Sequence, residues 1–489
     1  MATSQWSFAT AVEAAQALAA RQVSAVELAQ DAIARIERHD GKINAVCVRD
    51  FDRALEAARA ADAALARGET KPLLGLPLTV KESFNVAGLP TTWGFPQHKD
   101  FRPTEDALAI TRVKQAGGVI LGKTNVPIAL GDWQSYNEIY GTTNNPFDLG
   151  RTPGGSSGGS SAALAAGYGP LSLGSDIGGS LRAPAFHCGV YAHKPTHGLA
   201  ATRGHLPPTL PAIPVQRDLS VIGPMARSAA DLALLLDVMA GPDPLDVGKA
   251  YRLELPAPRH TSLKDFRVLL IASDPVMPTD RAVRGAIETL AANLEKAGVM
   301  VIRESPLLPD FAASSRLYMR LLLSALSAGM PPDAYAGAQQ AAANLPAEDV
   351  SLAAERLRGL VLSQRDWLIG DGARARLKAQ WAKLFESFDA VICPIMPIPA
   401  FPHDHSADQE QRRIEIDGVD HVYTDQLAWP GIATLPGLPA TAIPLGLADG
   451  LPVGVQIVGP WLEDRTLLKL AELIEREFGG FVPPPMFDD

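Results

Sequence analysis

Several things are scarce in this chain, and each scarcity removes a class of function. Only three cysteines, Cys47, Cys188 and Cys393, occur in 489 residues. They are too few and too scattered for a disulfide framework or a zinc site. That usage fits a reducing compartment, and a cytoplasmic location is expected. Charge of one sign never gathers into a block: 44 Lys+Arg against 54 Asp+Glu leaves a net charge of −10. Without a basic patch, no nucleic-acid partner is expected. No apolar run reaches the roughly 18–20 residues a membrane helix needs. The most apolar stretch, 317–330, is interrupted by Arg320 and reads as a helix, so no membrane association is expected. Residues 1–6 show no charged segment followed by an apolar core, so no secretory leader is expected. No internal repeat is present.

What is present is material for a large core. Hydrophobic residues make up 47% and charged residues 20%, a balance that excludes disorder as the main theme. Residues 8–37 and 51–67 read as helices with Gly41 as a stop between them. From 73 onward short apolar runs alternate with helical periodicity: a strand over 73–81, a helix over 104–117 and a strand over 118–122. That alternation predicts α/β layering. Residues 207–214 form a proline-rich surface loop, and 227–241 a helix. Residues 267–272, 280–297 and 299–304 predict strand, helix, strand in a βαβ unit. Residues 310–385 are mostly helical, 388–394 and 451–458 read as strands, and 464–478 as a closing helix.

The informative segment is Pro153 to Ser161, a run of glycines and serines, followed by Gly174 to Pro184. Consecutive glycines let backbone N–H groups converge without Cβ obstruction. Converging N–H groups suit a phosphate or the oxyanion of an acyl-transfer intermediate. A phosphate loop would need a lysine after the glycines, and neither run has one. A serine beside such a cradle can attack a carbonyl if a base is at hand. Residues 155–159 satisfy Gly-x-Ser-x-Gly, but 144–153 are loop-like where a nucleophile elbow needs a strand. The other candidate base is Lys81, the charged end of an apolar strand. A desolvated lysine loses its charge readily and can serve as a neutral base.

These motifs resemble those of the amidase signature family. The chain carries the family pattern in order: Gly75 to Lys81, Gly154 to Ser160, Gly174 to Ala185, and Lys194-Pro195-Thr196. Gly122 to Asn125 and Gly141 to Pro146 are also family-like. The resemblance implies an α/β fold with a central mixed β-sheet, helices on both faces and a helical cap. It implies one domain over 1–489, with N-terminal helices over 1–67, a signature core over 73–260 and the cap over 310–385. It further implies a catalytic triad of Ser180 as nucleophile, Ser156 (after a cis non-proline peptide bond) as relay, and Lys81 as base. Backbone N–H groups of Ile177, Gly178, Gly179 and Ser180 would form the oxyanion hole. Ser157, Asp176 and Arg182 would support the site. Lys123 is the competing lysine, in a Gly-Lys-Thr-Asn motif expected to be structural. His187, His193 and His197 lack a fitting carboxylate or cysteine motif, so no metal is expected; no cofactor is expected either. His403-Asp404-His405 reads as a loop and Cys188 as a buried small hydrophobe.

By the same resemblance, the loop after the Lys-Thr-Asn motif lines the acyl pocket. That places Leu130, Gly131, Asp132, Trp133 and Tyr136 near substrate, with 310–385 and 400–425 supplying the remaining wall. The apolar, Trp-containing loop favours a hydrophobic or aryl amide, with carbamates (urethanes) and esters as further substrates. The expectation is therefore a stand-alone bacterial-type amidase. Its partners would be a small-molecule amide and water, with no nucleic acid and no membrane; a homodimer is one possible assembly, and nothing in the sequence decides the oligomeric state. One alternative is the glutaminase subunit of a tRNA-dependent amidotransferase. It ranks second because residues 197–208 lack the Ser-Arg-Tyr-Gly-type segment expected after Lys-Pro-Thr. The other alternative is a non-catalytic scaffold of the same fold.

Overall fold

The computed structural model describes residues 4–487; the reading of residues 1–6 as free of a leader lies partly outside them. Eleven strands form one sheet: β1 Val46–Arg49, β2 Pro77–Lys81, β3 Val119–Thr124, β4 Leu171–Asp176, β5 Tyr191–Lys194, β6 Val221–Ala226, β7 Arg267–Leu270, β8 Met300–Ile302, β9 Ala390–Cys393, β10 Ala440–Ala448 and β11 Leu451–Val458. Their order is β1-β3-β2-β4-β6-β5-β10-β11-β9-β7-β8. β2 lies parallel to both of its neighbours, β3 and β4. From β4 through β6, β5, β10 and β11 to β9, every pairing is antiparallel. The βαβ unit is present, with β7 and β8 parallel around the helix Arg281–Lys296. The sheet is therefore mixed, with helices on both faces, and the fold is α/β.

β2, β4 and β6 are buried at every position, so the two-residue alternation of a half-exposed strand is missing. β2 still reads as a short apolar run, but β4, β6 and the short β5 mix polar residues, glycine or proline into theirs and do not announce themselves in the sequence; the partly exposed β1 and β10 do not either. The expected helix 8–37 is two helices, Ala11–Ala19 and Ala25–Ile43. Arg21 turns left-handed between them, and Ser24 restarts the chain with a capping box to Glu27. Gly41 lies inside the second helix and does not stop it. The stop is Asn44, left-handed at φ 56. There the Asp40 carboxylate accepts from the Ala45 and Val46 N–H groups at 2.8 and 3.1 Å and turns the chain into β1.

Residues 310–385 form four helices: Phe311–Ser327, Pro332–Ala343, Leu352–Leu360 and Gln364–Leu384. The first lies over the exit of β4, where the Tyr318 hydroxyl donates to the Ile177 carbonyl at 2.7 Å. Gly431 lets that tyrosine close down: a Cβ there would stand 2.5 Å from the Tyr318 ring. Among the described residues, no helix is long and apolar enough to cross a membrane.

Candidate active site

Lys81 ends β2 with its side chain fully buried between β3 and β4. Its ammonium donates to Ser156 Oγ at 2.7 Å and to Ser175 Oγ at 2.9 Å. Burial lowers its pKa to about 7, with the Asp176 charge pulling the other way. Near neutral pH this amine is therefore close to half deprotonated. Ser156 follows a cis peptide bond from Gly155. Ser175 was not singled out from the sequence, although it sits inside the second Gly-Ser motif. What brings it and Lys81 together is the parallel register of β2 and β4, which pairs Val80 with Leu173 and so sets Lys81 level with Gly174, next to Ser175.

The first Gly-Ser run does not cradle an anion. Several of its N–H groups are spent on the protein: Ser157 N–H donates to the Ser180 carbonyl at 3.2 Å and Gly158 N–H to Ser135 Oγ at 3.1 Å. Its glycines are needed for close approach. A Cβ on Gly155 would stand 2.4 Å from the Asp132 carbonyl oxygen, and one on Gly159 would stand 2.4 Å from the Asn125 nitrogen. The second run forms the tight turn from β4 into the helix Arg182–Cys188. Asp176 shapes it, accepting from the Gly179 and Leu181 N–H groups at 2.9 and 3.1 Å. Gly179 thus already donates to a carboxylate, which separates it from the other three expected oxyanion donors. The outward carbonyls of this turn are held too, Ile177 by Tyr318 and Gly178 by the Trp133 indole N–H at 2.9 Å.

Asp176 and Arg182 are both fully buried and paired at 2.9 Å. Burial alone would raise the Asp176 pKa; Arg182 more than offsets this, and the carboxyl lies below its ordinary value. Arg182 also donates to Gln456 Oε1, the Pro430 carbonyl and Thr434 Oγ1. It therefore ties the turn to β11 and to the helix Ala428–Thr434. Ser157 Oγ sits between the two runs, 3.4 Å from both the Ser175 nitrogen and carbonyl oxygen.

Ser180 opens into a cavity of about 330 Å³ that Leu130, Gly131, Asp132, Trp133, Ile177 and Gly178 also line. Tyr136 stands one layer back, stacked on His405 at 3.7 Å, with its hydroxyl 3.4 Å from Asp132 and 3.0 Å from Arg412. The far wall comes from the two segments expected to supply it. Leu322, Leu323, Leu326 and Arg356 belong to the cap, and residues 407–410 to the later loop. Arg356 is the residue the sequence reading missed. It is 5% exposed and ion-paired to Asp425 at 2.7 Å and Glu410 at 2.6 Å. Its Nε, Nη1 and Nη2 are all held by these two carboxylates, so a paired charge cluster stands in the wall of the Ser180 cavity.

The remaining candidates lie elsewhere. Lys123 is also fully buried, with its pKa lowered to about 8 by burial, but its ammonium donates to the Pro90 carbonyl and to Thr91 Oγ1. His187 is buried against Phe401, and burial pushes its pKa down to about 3. His193 bonds Asp464 and Thr441, and His197 the Arg217 carbonyl. His403 contacts Asn144 Oδ1 at 3.1 Å. Cys188 is buried with its thiol on the Pro153 carbonyl. Among the described residues, no His/Cys/Asp/Glu group could hold a metal ion.

Residues 27–468 match the amidase family, and the chain belongs to that family: it is an enzyme of the C–N hydrolase class. An A-type glutamyl-tRNA(Gln) amidotransferase subunit from Thermus thermophilus is 35% identical over 475 residues, covering 93% of this chain and 94% of that one. Its namesake from an Anaeromyxobacter species is 34% identical, with 97% of each chain covered. Among solved structures, a vestigial protein complex bearing on the origins of an s-triazine catabolic enzyme superposes with a TM-score of 0.80. It is 31% identical and covers 97% of this chain and all of that one. These relatives correct two expectations. The stand-alone amidase for hydrophobic or aryl amides gives way, because full-length similarity runs to proteins named as amidotransferase subunits. The partner expectation, a small-molecule substrate without nucleic acid and a homodimer as one possible assembly, gives way for the same reason, since those relatives are named as subunits of an enzyme of glutamyl-tRNA. The segment 197–208 misled because it does not line the Ser180 cavity.

Proposed function

We propose that the chain is the glutaminase subunit of a tRNA-dependent amidotransferase, releasing ammonia from glutamine for transfer to tRNA-borne glutamate at a partner subunit. Ser180 Oγ attacks the side-chain carboxamide carbon while its proton passes through Ser156 to neutral Lys81. The oxyanion is held by N–H groups of Ile177, Gly178 and Ser180, with Gly179 occupied by Asp176. Lys81, now charged, returns the proton through Ser156 to the leaving nitrogen, and ammonia departs. Water then hydrolyses the glutamyl ester to glutamate. Ser175, the second acceptor of the Lys81 ammonium, orients that amine toward Ser156. We read 1–489 as one domain in which the 310–385 helices cap the site, and the protein as cytoplasmic.

The observation that carries this reading is Arg356 in the cavity of Ser180. A free amino acid brings an α-carboxylate and an α-ammonium. Arg356 offers a planar fork for the first, and the adjacent Asp425 carboxylate an acceptor for the second. The full-length similarity to amidotransferase subunits supports it further. The test is ammonia release from L-glutamine and from butyramide by the wild type, Ser180→Ala and Arg356→Ala. The wild type should cleave L-glutamine, Ser180→Ala should not, and Arg356→Ala should raise KM for L-glutamine at least tenfold with a smaller effect on butyramide. Equal effects of Arg356→Ala on both substrates, or butyramide cleaved in preference to L-glutamine, would refute the reading.

A further inference from the structure

The face of Arg356 that the substrate's carboxylate would take is already filled. Glu410 meets it with both oxygens, Arg356 Nε to Oε1 at 2.9 Å and Nη2 to Oε2 at 2.6 Å. This is the two-pronged geometry with which a guanidinium grips any carboxylate. Asp425 contacts only Nη1, at 2.7 Å. The two carboxylates are differently placed: Asp425 opens the short helix Tyr423–Leu427 as its third residue, whereas Glu410 sits on an irregular loop and its side chain is 45% exposed.

That loop is pinned at both ends and folded into a turn between them, Gln411 N–H donating to the Asp408 carbonyl at 3.1 Å and Arg412 Nε to the Ser406 carbonyl at 2.8 Å. At one end Gln134 and Asp404 exchange two hydrogen bonds, at 2.6 and 2.9 Å. At the other, Arg412 is ion-paired to Asp132 at 2.6 Å, with both side chains buried. Between the pins, residues 407–410 cross the mouth of the Ser180 cavity. Their tie to the opposite rim is Gln409 Nε2 on the Gly131 carbonyl, at 2.9 Å on the exposed surface. The Glu410 side chain can leave Arg356 with these backbone bonds in place.

We propose that Glu410 is a built-in stand-in for the substrate's carboxylate: it holds Arg356 and closes the loop over Ser180 until an incoming α-carboxylate displaces it. The inference rests on the amino-acid reading of the site above. It makes Glu410 a specificity-determining residue. A neutral amide has nothing to exchange for the Glu410 contact, whereas an amino-acid amide replaces one carboxylate by another on the same fork.

The test is steady-state cleavage of L-glutamine and butyramide by the full chain carrying Glu410→Gln, Glu410→Asp or no substitution. Alongside runs the rate at which a fluorophosphonate labels Ser180, with and without L-glutamate. Glu410 is half-exposed, so these variants fold. With the competitor neutralised, Glu410→Gln should lower KM for L-glutamine roughly two- to fivefold relative to KM for butyramide. L-glutamate should protect Ser180 at correspondingly lower concentration, and Glu410→Asp should return toward wild type. If Glu410→Gln leaves both the KM ratio and the protection unchanged while the wild type still cleaves L-glutamine, the stand-in role is wrong and the glutaminase reading survives. A raised KM for L-glutamine would mean that Glu410 binds substrate directly, again overturning the proposal. If L-glutamate protects neither protein and L-glutamine is not cleaved, the amino-acid reading itself falls.

Discussion

Replacing Lys81 by methionine should remove activity and make the protein more stable. The side chain is fully buried, and holding its pKa at about 7 against an ordinary 10.5 costs about 5 kcal/mol when both the folded and unfolded states are protonated. At pH 7 the folded amine is half neutral and the cost is about 4 kcal/mol. Methionine matches the length of the lysine stem and carries no such penalty. It forfeits the hydrogen bonds to Ser156 and Ser175, about 1 kcal/mol each, so a net gain of about 2 kcal/mol is expected at pH 7. The sign with pH follows from linkage. The folded pKa lies below the unfolded one, so between about pH 7 and 10.5 the unfolded chain binds more protons. The wild type therefore gains stability across that window, and the advantage of Lys81→Met shrinks as pH rises. Urea unfolding followed by circular dichroism, at pH 7 and pH 9.5, reads both effects. A Lys81→Met protein less stable than wild type at pH 7, or an advantage that grows with pH, would refute the argument that this lysine is held at the expense of stability.

Two further outcomes bear on the site. If neutral Lys81 is the base, log(kcat/KM) for L-glutamine should climb with unit slope below about pH 7 and level off above it. A flat profile from acid to neutral pH would take the proton-accepting role away from Lys81. Replacing Arg182 with methionine strands Asp176 as a buried charge without its partner. It should cost about 3–5 kcal/mol, read as a lower urea midpoint; a loss below 1 kcal/mol would mean that Asp176 finds another partner or takes up a proton.

The parts of the molecule that were legible in the sequence are those in which composition itself carries the chemistry. The Gly-Ser runs, Lys81 and the apolar runs around them lie within 110 residues of one another, and the glycines mark positions where a Cβ has no room. Helices with an exposed face, such as Arg281–Lys296 and Asp464–Phe478, show their period because one side stays wet. The central strands were harder, because a strand buried on both faces has no alternation to read. Arg356 was beyond reach for another reason. It lies 176 residues from Ser180 in the chain, on a surface helix rich in charge, Leu352–Leu360. Nothing local separates it from Arg358, which turns instead to Glu355 and the Asp349 carbonyl. Only the packing of the cap over β4 decides which arginine enters the cavity.

The same limit applies to the choice of base. Lys81, Lys123 and Lys194 are all fully buried, and all three titrate low, at about 7, 8 and 7, chiefly because of burial. A depressed pKa therefore does not single out the base. Lys123 shares its protons with a peptide carbonyl and Thr91, and Lys194 donates to the Pro195 carbonyl. A carbonyl can accept a hydrogen bond but cannot pass a proton on. Lys81 has two serine hydroxyls as partners, groups that both accept and donate; Lys123 has the Thr91 hydroxyl, but that group spends its own hydrogen on the Phe84 carbonyl at 3.3 Å. A neutral amine whose hydrogen bonds end on carbonyls, directly or through a committed hydroxyl, is merely buried, whereas Lys81 adjoins Ser156, whose neighbour Ser157 bonds the Ser180 backbone, and can draw a proton through that hydroxyl. It is this chemistry of the partner, beyond the burial the three lysines share, that makes Lys81 the candidate base.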